Sequence, residues 1–262
     1  RLRKGASALR PLVHVLASEF LDGPARERVR IRLQNFLDAR IRSDLAPLFA
    51  AMAMAEEETV LRGPMHRLSE GLGVVPGPAR EDFPPALRAR LRQVGVRAGR
   101  FGLFMPALLK PAALRLRALL WTLAEGWGES PLLPAPGSIV WRGCPAEAGR
   151  FAAAMGWLPA GPVGIRLDVA ERVAAELAAA ARRQPPSLPA SLAPRLGVKA
   201  GELPAVLRGL GFRLVPQAGE ATGEAAPLVA PLRRRPTAPG AEAGTTILPA
   251  GPFASLAVLH RR

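Results

Sequence analysis

From residue 24 onward, large apolar residues return at three- and four-residue intervals: Val29, Leu33, Phe36, Leu37, Ile41, Leu45 and Leu48. That spacing predicts an amphipathic helix with these side chains inward, opened by Pro24 where a first turn needs no backbone N–H. Arg26, Arg28, Arg30, Arg32, Arg40 and Arg42 fill much of the remaining surface and give the helix a cationic outer face. Residues 1 to 22 read instead as an extended lead-in, with LVHVLA alternating like a short strand. The stretch MAMAEEETVLRGPMHRLSEGLGVV stays helical, with a break expected near Gly63-Pro64 and an end at Gly71 or Gly73. VPGPAREDFPP reads as a linker by its Pro and Gly content.

A three-part pattern then recurs: a helical run, a glycine, and a short β-like segment. Gly95, Gly156 and Gly211 fit the left-handed residue that closes a helix, because a missing Cβ removes the steric penalty there. Phe101, Leu103, Phe104 and Met105 form, with Val96, a short two-stranded turn around Ala98-Gly99. Trp157–Pro159 and Gly164–Leu167 pair as a hairpin, and Asp168 suits the N-cap of the helix VAERVAAELAAAARR. Between the first two units, Pro106 and Pro111 bracket ALLK. Leu114, Leu116, Leu119, Leu120 and Trp121 then demand one broad buried face. RQPPSLPASLAP is a second linker, and Ala193–Phe212 has the outline of a helix–turn–helix pair. The expected fold is mainly α, helical bundle units with short β-hairpins and a disordered Pro/Ala-rich segment near the C-terminus. Its parts are a helical segment at 1–75, a second segment at 76–130 packed on it, a helix/hairpin/helix region at 131–215, a linker at 216–249 and a docking tail at 250–262.

Charge changes this picture. The 262 residues carry a net charge of +15, almost all of it arginine, since Lys4, Lys110 and Lys199 are the only lysines. Such an excess concerns partners rather than fold, and a polyanion is its commonest complement. Arg97, Arg100, Lys110, Arg115 and Arg117 come within 21 positions of one another with no acid between them. Two readings stand side by side: a contact for a nucleic-acid backbone, or a rim of solvated cations. Chemistry is harder to find. No phosphate loop, no dinucleotide fingerprint and no Cys-x-x-Cys is present. His14, His66 and His260 are scattered, so neither a catalytic group nor a metal site is expected. Glu56, Glu57 and Glu58 lack a neighbouring ligand. Cys144, the only cysteine, excludes an internal disulfide and points to a reducing, cytoplasmic setting without a membrane span.

The string GVRAGRFGLFMPALLKPAALRLRALLW, residues 95–121, resembles a segment downstream of the motor domains in bacterial, mainly alphaproteobacterial, Suv3-like superfamily 2 helicases. The resemblance continues through GRFAAAMGWLPAGPVGIRLDVAERV and SLAPRLGVKAGELPAVLRGLGFR, and VLRGPMHRLSEGLGVV matches upstream. It implies the C-terminal accessory region of an ATP-dependent helicase, with RNA or DNA, single-stranded, as one partner and its own motor domains as another. ATP and Mg would then belong to the motor domains, with no cofactor in this chain. The cations named above would contact the strand. Tyrosine is absent, so stacking on bases would fall to Phe101, Phe104 or Trp157. A chain that begins at Arg1 also fits a piece of something longer. The alternative is a structural scaffold that braces the helicase core without touching the strand.

Overall fold

The computed structural model describes residues 1–16, 22–143, 148–182, 187–215 and 227–232. Cys144, the linker from 216 to 226 and the segment 233–262, with its arginine run and docking tail, lie outside the described residues. Mainly α-helical structure with small antiparallel sheets is what forms. No helix among the described residues is long and apolar enough to cross a membrane.

Strands β1 (Leu2–Arg3) and β2 (Leu12–Val13) pair antiparallel and lead into α1 (Gly23–Asp44). Asp22 caps α1, its Oδ1 accepting the Ala25 N–H at 2.6 Å. Gln34 ties the helix to β2: its Oε1 accepts from the Val13 N–H at 2.9 Å and its Nε2 donates to the Pro11 carbonyl at 3.0 Å. The apolar face expected on this helix is only half inward. Ile41, Leu45 and Leu48 are buried, whereas Val29, Leu33 and Phe36 are 37, 46 and 70% exposed. The five-residue step from Phe36 to Ile41 explains it. At 100° per residue that step turns the stripe by about 140°, so within α1 the run pools two faces and only the one with Ile41 meets the core, while Leu45 caps the helix and Leu48 belongs to the next.

Helices α2 (Ala46–Glu57) and α3 (Thr59–Glu70) fold back on one another. The break between them falls at Glu58, not at Gly63-Pro64. Glu58 has extended backbone and a carboxylate ion-paired to Arg90, while Pro64 sits inside α3, where it removes a single backbone donor. Strand β3 (Val74–Pro76) then takes two residues of the expected linker. It joins the hairpin β4 (Arg97–Ala98) and β5 (Gly102–Phe104), which follows α4 (Pro85–Gln93), in the order β3-β5-β4. A tight helical turn at Pro106–Leu109 precedes α5 (Pro111–Glu125).

β6 (Val140–Arg142), α6 (Gly149–Ala154) and the expected hairpin, β7 (Trp157–Ala160) with β8 (Val163–Arg166), build a sheet of order β6-β8-β7. Helix α7 (Leu167–Ala181) follows directly, two residues earlier than an Asp168 cap requires. Asp168 lies inside the first turn, paired with Arg166 at 2.7 Å. The helix–turn–helix outline is α8 (Leu192–Leu196) and α9 (Leu203–Gly209), short packing units whose apolar residues are inward. Gly95, Gly156 and Gly211 all have the expected positive φ, 80, 87 and 84°. β9 (Phe212–Val215) pairs antiparallel with β10 (Leu228–Pro231), a strand inside the span read as linker; its Val229 is fully buried, and its proline lies at the end of the ladder.

Two apolar cores result. The first runs from Ile41 to Trp157 and contains all four tryptophans, whose rings meet each other or Phe151 at 5.1–6.4 Å between centroids. The second gathers β7, β8, α7, α8, α9 and the β9–β10 pair, with Phe212 at its centre. A small cluster of Val74, Phe104, Leu109 and Leu167 lies where elements of the two meet.

Candidate nucleic-acid interface

Gly95 turns the chain out of α4 into the β4–β5 hairpin, whose tip is docked on α7. Glu171 of α7 accepts two successive backbone N–H groups there, from Arg100 at 3.0 Å and Phe101 at 2.6 Å. A Cβ at Gly99 would stand 2.1 Å from a Glu171 carboxylate oxygen, so any side chain there would push the carboxylate off the tip. Arg100 lies across the seam between the cores, its guanidinium carbon 5.7 Å from the Phe101 ring centroid and 5.4 Å from that of Phe212. A half-buried cation fastened in this way joins the two halves of the fold.

Arg117 departs furthest from the expectation. It is fully buried and donates to three backbone carbonyls, Leu72 at 2.7 Å, Leu108 at 3.1 Å and Ala154 at 2.5 Å. Each carbonyl sits at or just beyond the end of a helical segment, where the helix itself supplies no donor. Burial pushes the guanidinium down to about 9, which still leaves it charged at neutral pH. Arg117 is therefore a structural clamp with no surface for a phosphate. The stacking candidates fare similarly. Phe104 and Trp157 are 2 and 3% exposed, walled into cores, and Phe101 is half-buried with Arg100 over its ring.

Arg97, Lys110 and Arg115 remain exposed, in two clefts. Arg97 lines a cleft of about 780 Å³ between α4 and α7, together with Arg80, Arg88, Arg92 and Arg172. Lys110 and Arg115 edge a second cleft of about 650 Å³, whose walls include Leu109, Pro111, Leu114 and Pro134. Pro106 and Asp168 border both, so the clefts adjoin.

The acids of the first cleft are engaged. Asp168 holds Arg166, Glu171 holds the hairpin tip and Glu176 is ion-paired to Arg195. Arg88 is turned to the carbonyls of Arg80 and Phe83, at 2.7 and 3.1 Å. Among the described residues, no carboxylate pairs with Arg92, Arg97 or Arg172. Three like charges around one concavity repel each other unless an anion or solvent screens them. Sequence reasoning missed Arg80, Arg88, Arg92 and Arg172. The i, i+4 spacing of Arg88 and Arg92, just ahead of Arg97, was the available signal; Arg172 carried none, since only the fold brings α7 to this cleft.

Glu58, in the Glu56–Glu58 cluster, is held below the usual carboxylate range by its hydrogen bonds from Arg90. Among the described residues no three His, Cys, Asp or Glu side chains are grouped to hold a metal ion. What the arrangement offers chemically is anion binding by guanidinium and ammonium groups. Compared with known proteins, the chain matches no family model, no curated protein and no solved structure.

Proposed function

We propose that this chain is a nucleic-acid-contacting accessory region of an ATP-dependent helicase. One observation carries the strand-contacting part: cations without carboxylate partners, Arg92, Arg97 and Arg172, line a cleft that adjoins a second one edged by Lys110 and Arg115. Phosphates of an RNA or DNA single strand would screen that charge as they pass from one cleft to the other. The helicase part rests on the sequence resemblance. ATP and Mg act in the motor domains, and this chain, which has no phosphate loop, contributes grip rather than hydrolysis. Its place is the cytoplasm, where strand and motor meet.

Binding of this kind ignores base sequence and weakens steeply with salt, because each phosphate contact releases condensed counterions. The test is filter binding of a labelled single strand at 50 and 200 mM salt, with the chain and with an Arg92→Glu, Arg97→Glu, Arg172→Glu variant. Expected is salt-sensitive binding, weakened at least tenfold by the variant with unchanged melting. No binding at low salt, or equal binding by the variant, overturns the proposal and favours a scaffold that only braces the motor.

A further inference from the structure

Independently of the strand-binding reading, α1 carries an apolar surface that the packing among the described residues does not use. Val29, Leu33 and Phe36 lie at i, i+4 and i+7, so they form one ridge about 10 Å long on the helix. They are 37, 46 and 70% exposed, while the helix is held to the molecule by another face through Gln34, Leu37 and Ile41. Burying such side chains against a partner recovers apolar area that now faces water.

The flanks of the ridge say what would cover it. At 100° per residue, Arg26 and Arg32 lie about 60° to either side of Val29, and both are exposed. The acids on α1 are occupied elsewhere: Glu27 pairs with Arg30 at 2.7 Å, Asp44 with Arg40 at 2.8 Å, and Asp38 accepts from Gln34 at 2.9 Å. Among the described residues, no carboxylate pairs with Arg26 or Arg32. An apolar seam bordered on both sides by unneutralised arginines is the complement of an apolar seam bordered by acids.

We propose that α1 docks an acidic amphipathic helix of a partner protein, with Val29, Leu33 and Phe36 in its apolar seam and Arg26 and Arg32 facing its carboxylates. The i, i+4, i+7 spacing is that of a helix–helix ridge. It is too narrow for a bilayer surface, which calls for a wide apolar face. A second copy of this chain would set arginine against arginine. A nucleic acid would use the arginines and leave Phe36 in water.

The probe is a synthetic helix of about 20 residues, long enough to hold its form, with leucines along one seam and glutamates flanking it. Its control twin carries lysines in place of the glutamates. Binding is measured by calorimetry against the full chain and against a Leu33→Ala, Phe36→Ala variant, which keeps its fold because both side chains are exposed. Expected are binding of the acidic helix, at least tenfold weakening in the variant, and no binding of the lysine twin. Strand binding by the variant stays unchanged, which separates this proposal from the preceding one. Failure of the acidic helix to bind, or undiminished binding by the variant, overturns it. So does Phe36-dependent binding to phosphatidylserine vesicles, or Phe36-dependent self-association, in place of peptide binding.

Discussion

Arg115 and Arg117 are two positions apart, and a helix puts such residues nearly on opposite sides. One is exposed and the other is buried under three carbonyls. Their spacing alone held that distinction, but counting cations as a cluster hid it. Arg117→Met keeps the volume and leaves three buried carbonyls without a donor, so a loss of about 3 kcal/mol is expected in urea unfolding. The pH dependence has a definite sign. Burial shifts the guanidinium from its ordinary, much higher value down to about 9. Between those values the unfolded chain holds a proton that the native state sheds, so this group's contribution to stability rises with pH. The wild-type minus Arg117→Met difference should grow from pH 8 to pH 11. Few other groups interfere, since the chain has no tyrosine and three lysines. A flat difference would refute the shift.

At the level of elements, the closing glycines and both hairpins were legible because they depend on neighbours a few positions away. Gly156 could be placed without knowing what lies across from it. The break at Glu58 was not legible, since Arg90, 32 positions later, secures it. Nor was β10, whose partner strand lies beyond an intervening stretch, or the outward stripe of α1, which matched the inward stripe in everything but phase. The candidate site was legible as charge and not as position: Arg97, Lys110 and Arg115 are on the surface, while Arg100, Arg117, Phe104 and Trp157 serve packing. The hairpin tip gives the sharpest test. Gly99→Ala would drive its methyl into Glu171 and break one or both amide contacts, a loss of about 1–3 kcal/mol. Glu171→Gln keeps the shape but replaces one of the two acceptor oxygens with an NH2 that cannot accept, so one contact is lost, the other is weakened, and the loss is expected to be no larger than that of Gly99→Ala. Thermal melting of both variants checks the order. Equal and negligible losses would mean that the tip is not held by this carboxylate.

On the scale of the whole molecule, cations are divided between two duties. Arg100 reaches across to the second core and Arg117 clamps three segments of the first, while Arg92, Arg97, Arg172, Lys110 and Arg115 line open clefts. A salt titration should therefore weaken strand binding without weakening the fold, because the structural cations act over short, partly or fully desolvated contacts. The gathering of every tryptophan in the first core, with tyrosine absent, has a practical consequence. Ultraviolet emission from this protein comes from one packed group of indoles and reports chiefly on that half, with Trp157 on β7 at its border. If α8, α9 and the β9–β10 pair come apart first in denaturant, circular dichroism will fall while the emission maximum stays put. Coincident transitions would instead mean that the halves open as one, which makes a single cuvette a gauge of whether this fold cooperates across its seam.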